Sequence, residues 1–75
     1  MSDISDQVAS LAVNYLGPAA KVFMERQTRS HMNGLLFESL EKKHLTDLSK
    51  WVFISGCLIV DKDKAKELAY KIENL

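Results

Sequence analysis

From Trp51 to Val60 the chain reads W-V-F-I-S-G-C-L-I-V, a ten-residue apolar block interrupted only by Ser55-Gly56 and followed by a charged run. Few folds can accommodate such a block in a chain of 75 residues. A bilayer span needs about 20 apolar residues, so the block is too short for a membrane anchor. It could turn at Ser55-Gly56 into a β-hairpin, since its flanks are rich in β-branched and aromatic residues. Ser-Gly is not the favoured Asn-Gly or Asp-Gly turn, however, and a lone two-stranded hairpin is marginal in water. A helix accounts for more of the pattern, because Leu45, Leu48, Val52 and Ile59 then share one face. We expect a helix over Asp47–Ser55, with Thr46 as N-cap, Asp47 favourable in the first turn and Gly56 as the left-handed C′ residue. Leu58-Ile59-Val60 would follow as a short buried connector.

One helix face cannot hold this block. Trp51, Phe53, Ile54, Leu58 and Val60 point in several directions around the axis, and a helix apolar all round must be surrounded. A chain this short buries only about 60% of the surface exposed when it is unfolded, so it lacks the means to cover them all. Uncovered, they form the kind of patch that marks an interaction site. These five residues are therefore the expected partner interface. A symmetric homodimer is the commonest way of covering such a surface, and docking of another protein is the alternative use.

The remaining chain reads as amphipathic helix cut by Gly17-Pro18 and Asn33-Gly34. Ile4, Val8, Leu11, Ala12 and Tyr15 fall at helical spacing and predict a helix over Ile4–Leu16, capped by Ser2 or Asp3. Gly17 suits the left-handed position after that helix, and Pro18 suits the first turn of the next, predicted over Pro18–Met32. Its first half is apolar through Ala19, Ala20, Val22, Phe23 and Met24, while its second half, ERQTRSH, is polar. Leu36, Phe37 and Leu40 predict a third helix over Leu35–His44. Ala65, Leu68, Ala69 and Ile72 predict a last one over Lys62–Glu73, with Asp61 as its N-cap. The expectation is an all-α bundle of about five short helices in one domain spanning residues 1–75.

Ten basic and ten acidic residues cancel, which removes the usual electrostatic footprint of a nucleic-acid or anionic-membrane binder. Cys57 is the only cysteine, so no disulfide within the chain is available. Together with a polar, acidic opening segment unlike a secretory leader, this points to the reducing cytoplasm. Cys57 has only apolar neighbours in sequence and reads as a small buried hydrophobe rather than a nucleophile.

Three other constellations carry possible chemistry. Glu41 and His44 have the E-x-x-H spacing by which one helix face offers a carboxylate and an imidazole to a metal. His near a helix end beside Lys42 and Lys43 is better explained by the helix dipole. Lys21, Arg26, Arg29 and His31 form a basic face that could hold a phosphate or an acidic partner helix, and that reads more simply as a solvated face with cations near a helix C-terminus. With Lys42 and Lys43 the same arginines and Lys21 could hold nucleic acid, against which the zero net charge argues. The backbone N–H groups after Pro18, with Lys21, could meet an anion, although one glycine makes no Walker loop and corner geometry alone explains Gly17 and Pro18. No catalytic triad or carboxylate pair emerges, no cofactor is implied, and the expected protein is not an enzyme.

At the first corner, YLGPAAKVFMERQ (Tyr15 to Gln27) resembles a small helical domain of unknown function. That domain recurs at the C-terminal ends of bacterial and archaeal signalling proteins and as stand-alone archaeal chains. Its pattern is an aromatic residue, then Gly-Pro-x-Ala-Lys, here Gly17, Pro18, Ala20 and Lys21. LSKWVFISGCLIVDKDKAKELAYKI is similar to the closing part of the stand-alone forms. The resemblance implies an accessory or interaction role and brings no catalytic residues with it.

Overall fold

Helix α1, Asp3–Leu16, ends where Gly17 takes φ 60°, a left-handed conformation that glycine enters without the steric cost of a Cβ. Pro18 sits in a 3₁₀ turn, Gly17–Ala19, which leads directly into α2, Ala20–His31. Helices α3, Leu45–Gly56, and α4, Lys62–Glu73, complete the α-helical set of this computed structural model, which describes residues 3–75. No strand occurs among the described residues, so the hairpin alternative for Trp51–Val60 falls. Asp61 caps α4 as expected, its Oδ1 accepting the Lys64 N–H at 2.9 Å. Of the two residues expected to cap α1, Asp3 is the helix's first residue and Ser2 lies outside the described residues.

The helix expected over Leu35–His44 does not form. Two 3₁₀ turns, Phe37–Ser39 and Lys42–His44, stand there instead, separated by extended backbone at Leu40 (ψ 138°) and Glu41 (ψ 168°). The cause is the placement of side chains. Phe37 and Leu40 are three residues apart, so they eclipse in a 3₁₀ turn and both reach the core. The extended step then re-aims the chain so that Leu45 reaches it too. Leu36, expected on the inner side, is left 62% exposed.

Each helix packs on the next and α4 returns to α1, so the four close a ring around one core. Val8 and Ala12 of α1, Ala20 and Met24 of α2, Leu48 and Val52 of α3, and Leu68 and Ile72 of α4 are all essentially sealed from water. The radius of gyration, 10.7 Å, is what a compact chain of this length has, about 11 Å. The α3–α4 seam is the most extensive, and Gly56 is the reason it can be tight. Gly56 lies inside α3 and does not take the expected left-handed C′ role. A Cβ there would stand 3.3 Å from Ala65 Cβ, so the glycine is used for close helix approach. Helix α3 also starts earlier than expected. Its N-cap is His44 rather than Thr46, because the Lys42–His44 turn runs straight into it.

The buried stripe of α2 is Ala20, Met24, Gln27 and Thr28, while Ala19 and Val22, expected to be inside, are exposed. The stripe continues through two polar residues because both are paired. Thr28 Oγ1 donates to the Glu25 carbonyl, and Gln27 Nε2 donates to that of Phe23, both at 3.2 Å.

Candidate interaction surface

With Leu45, Leu48 and Val52 facing the core, the 3.6-residue repeat fixes where the rest of α3 points. Trp51 falls on the flank toward α2, Phe53 on the flank toward α4, and Ile54 on the outside. The structure shows each in that place. Trp51 is half-buried and stacks on His31 of α2, with ring centroids 4.1 Å apart and planes inclined by 8°. Lys50 Nζ lies 5.1 Å from the Trp51 ring centroid. One turn on, Ser55 Oγ donates to Gln27 Oε1 at 2.9 Å, so the α2–α3 seam is stitched by one ring stack and one part-buried hydrogen bond. Phe53 is half-buried beside Ala69 and Tyr70 of α4.

The outer face and the tip of the α3–α4 hairpin remain uncovered. Ile54 is 47% exposed, Leu58 85% and Ile59 57%. The backbone after α3 winds on through Leu58 N–H to Ser55 O and Ile59 N–H to Gly56 O, both i→i+3. Ile54 at the end of α3 and Leu58 in the turn that follows are therefore both exposed at this end of the hairpin, with Cys57 half-buried between them in the chain. Leu58-Ile59-Val60 is thus not a buried connector, and Ile59 does not share the face of Leu45, Leu48 and Val52. Only Val60 of the three tucks in, beside Tyr15 and Glu67. Tyr15 Oη donates to Glu67 Oε2 at 2.7 Å, tying α1 to α4 there. That hydrogen bond, helped by Lys71 and Lys64, holds the Glu67 carboxyl below its usual pKa.

The five residues expected at the interface are therefore not brought into one patch. Ile54 and Leu58 are exposed at the same end of the hairpin, Trp51 stands on the α2 side, Phe53 belongs to the opposite flank, and Val60 is half-buried beside Tyr15 and Glu67. Ile59, which was not among those five but was expected on the buried face of the helix, is the residue that joins the exposed group. Its signal was position, since a residue in a tight turn after a helix cannot keep the helix's phase.

The alternative constellations are placed differently from expectation. Glu41 and His44 bond to each other's backbone as a capping box, with the Glu41 N–H donating to His44 Nδ1 at 3.0 Å. Among the described residues no group of three or more His, Cys, Asp or Glu side chains stands where it could hold a metal ion. Lys21, Arg26 and Arg29 are exposed on α2, but Arg29 borders a hollow that also holds Glu25 and Glu38, and His31 is turned onto Trp51. No described helix is long and apolar enough to cross a membrane. No family model, curated protein or solved structure matches the chain, so the surface itself must carry the functional reading.

Proposed function

We propose that this chain is a cytoplasmic, non-enzymatic helical module that pairs with a second copy of itself through Ile54, Leu58 and Ile59, bordered by Trp51. The same face would dock a protein partner. The observation that carries the proposal is the exposure of three aliphatic side chains at one end of one hairpin. An accessory role is also what the corner of Gly17, Pro18, Ala20 and Lys21 suggests by its resemblance to helical domains of signalling proteins.

Magnitudes set the kind of association. The three residues expose between them the equivalent of about two whole aliphatic side chains. Burying one completely contributes about 1.5–3 kcal/mol, so a symmetric pair of patches contributes roughly 6–12 kcal/mol. Association costs about 4–15 kcal/mol in lost freedom. The core is already closed within one subunit, with Leu48 and Val52 at 0% exposure and Leu68 at 1%. A folded monomer in concentration-dependent exchange with a dimer follows, rather than an obligate dimer.

Sedimentation velocity from about 10 μM to about 1 mM tests this, a range matched to the weak affinities that these magnitudes allow. The wild type is expected to shift from monomer toward dimer, and Ile54→Glu and Leu58→Glu to stay monomeric with unchanged helical circular dichroism. A wild type that remains monomeric at the top of that range removes the proposal, as does unchanged dimerisation of both variants.

A further inference from the structure

On the other flank of α3 lies a groove of about 400 Å3 between α3 and α4. Its floor is Phe53, Ala69 and the ring of Tyr70, which is 68% exposed. Lys62 and Lys66 rise at one end and Glu73 stands at the other. Ile54, Leu58 and Ile59 do not line it, so it is a surface separate from the proposed self-association face. We propose that this groove docks an amphipathic helix of another protein, one that presents an apolar anchor flanked by two acidic residues.

The charge pattern selects the occupant. The chain as a whole is neutral, so a paired-lysine end is a local feature. Lys62 and Lys66 are four residues apart and stand on the same side of α4. They occupy its N-terminal half, where the helix dipole adds to their field. Asp61 is engaged with the Lys64 N–H, and Asp63 stands three residues before Lys66 and offsets part of its charge. In the lining of the groove itself, Lys50, Lys62 and Lys66 still outnumber the single acid, Glu73. Lys50 supplies a wall with its stem, while its ammonium leans toward Trp51.

Glu73 sets the direction. Helices favour acids in their first turn and bases in their last. The occupant's acidic turn therefore lies over Lys62 and Lys66, and its basic last turn lies near Glu73, which makes it run parallel to α4. Glu73 also repels a continuous polyanion, and the floor is apolar, so the groove favours a peptide helix over nucleic acid.

The test is selection from a displayed library of helical peptides about four turns long on the wild-type protein. Enriched sequences are expected to share a Leu, Met or aromatic anchor with two acids on the N-terminal side. A labelled selected peptide, followed by anisotropy, is expected to lose roughly tenfold or more in affinity to the Lys62→Glu/Lys66→Glu variant and to Tyr70→Ala. It should also weaken as salt rises, and bind Ile54→Glu as it binds wild type. All three mutated positions of the groove are exposed, and circular dichroism checks that the variants remain folded. The proposal is overturned by enrichment without the acids, by undiminished binding to the charge-reversed variant, by no enrichment at all, or by a single-stranded oligonucleotide that binds the groove more tightly than any peptide. Loss of peptide binding to Ile54→Glu would move the site to the self-association face and overturn it equally.

Discussion

Replacing Ser55 with alanine probes the seam that sets the exposure of Trp51. Gln27 is 5% exposed, and its side chain makes two bonds, Nε2 to the Phe23 carbonyl and Oε1 from Ser55 Oγ. In Ser55→Ala the carboxamide oxygen keeps its burial and loses its donor. A buried polar atom left unpaired costs about 1–3 kcal/mol. Alanine's better helix propensity returns about half a kcal/mol. The net loss is about 0.5–2.5 kcal/mol, or roughly 2–20 °C in Tm for a domain of this size. Gln27→Met removes the need for the donor while filling similar space. Ser55 can then turn back on its own helix, as Ser49 already does toward the Thr46 carbonyl at 2.9 Å. Ser55→Ala should therefore cost almost nothing in the Gln27→Met background.

Urea unfolding followed by circular dichroism, run as a double-mutant cycle, gives the coupling directly, and the whole single-variant loss of about 0.5–2.5 kcal/mol is expected to appear as coupling. Trp51 emission should also move toward the red in Ser55→Ala, since the neighbouring His31 stack lies along the same seam. Single-variant losses that simply add would refute the reasoning, because they would show that Ser55 and Gln27 do not satisfy one another.

Gly17→Ala tests the corner. Nothing lies within 4 Å of a Cβ built at Gly17, so its φ of 60° alone sets the cost, about 1–2 kcal/mol, measured as a lowered urea midpoint. Tyr15→Phe tests the α1–α4 tie through pH. Because the folded-state pKa of Glu67 is lowered, its contribution is complete above the unfolded glutamate value of about 4.3 and is lost as pH falls through the lowered value. Wild type should thus exceed Tyr15→Phe in stability near neutral pH, and the gap in Tm should close toward acid. A constant gap would show that Glu67 is not the group involved.

How much of this was legible in the sequence differs from residue to residue. Asp61 and Gly17 were readable because each acts locally, one through a cap and one through its own φ. The stripe of α4 was readable because Ala65, Leu68, Ala69 and Ile72 are apolar and all face in. Gln27 and Thr28 were not, since nothing in ERQTRSH announces that Phe23 and Glu25 carbonyls will satisfy them. Gly56 was misread for a related reason. Its role depends on Ala65 standing opposite, a tertiary fact with no local trace. The 3₁₀ pair between α2 and α3 failed for a third reason. Phe37, Leu40 and Leu45 satisfy a helical pattern nearly as well as the broken one, and only the core decides between them.

The exposure of α3 follows from the geometry of the ring. Each helix has two neighbours, so one face is buried, two flanks are partly covered and the outside meets water. Helix α2 meets that condition with Lys21, Arg26 and Arg29 on its outer side, and α4 with its lysines. Val13 and Val22 interrupt the wet faces singly, as surface apolar residues ordinarily do. Helix α3 is the exception, with Ile54 outside and Leu58 and Ile59 running on beyond it. These residues add nothing to a core that is already closed. In water they cost solubility, and only something placed against them turns that cost into binding. The same logic distinguishes the two faces of the hairpin. Aliphatic residues without charge suit a second copy of the same patch, while aromatic residues between lysines and a glutamate suit a partner with the opposite order of charge.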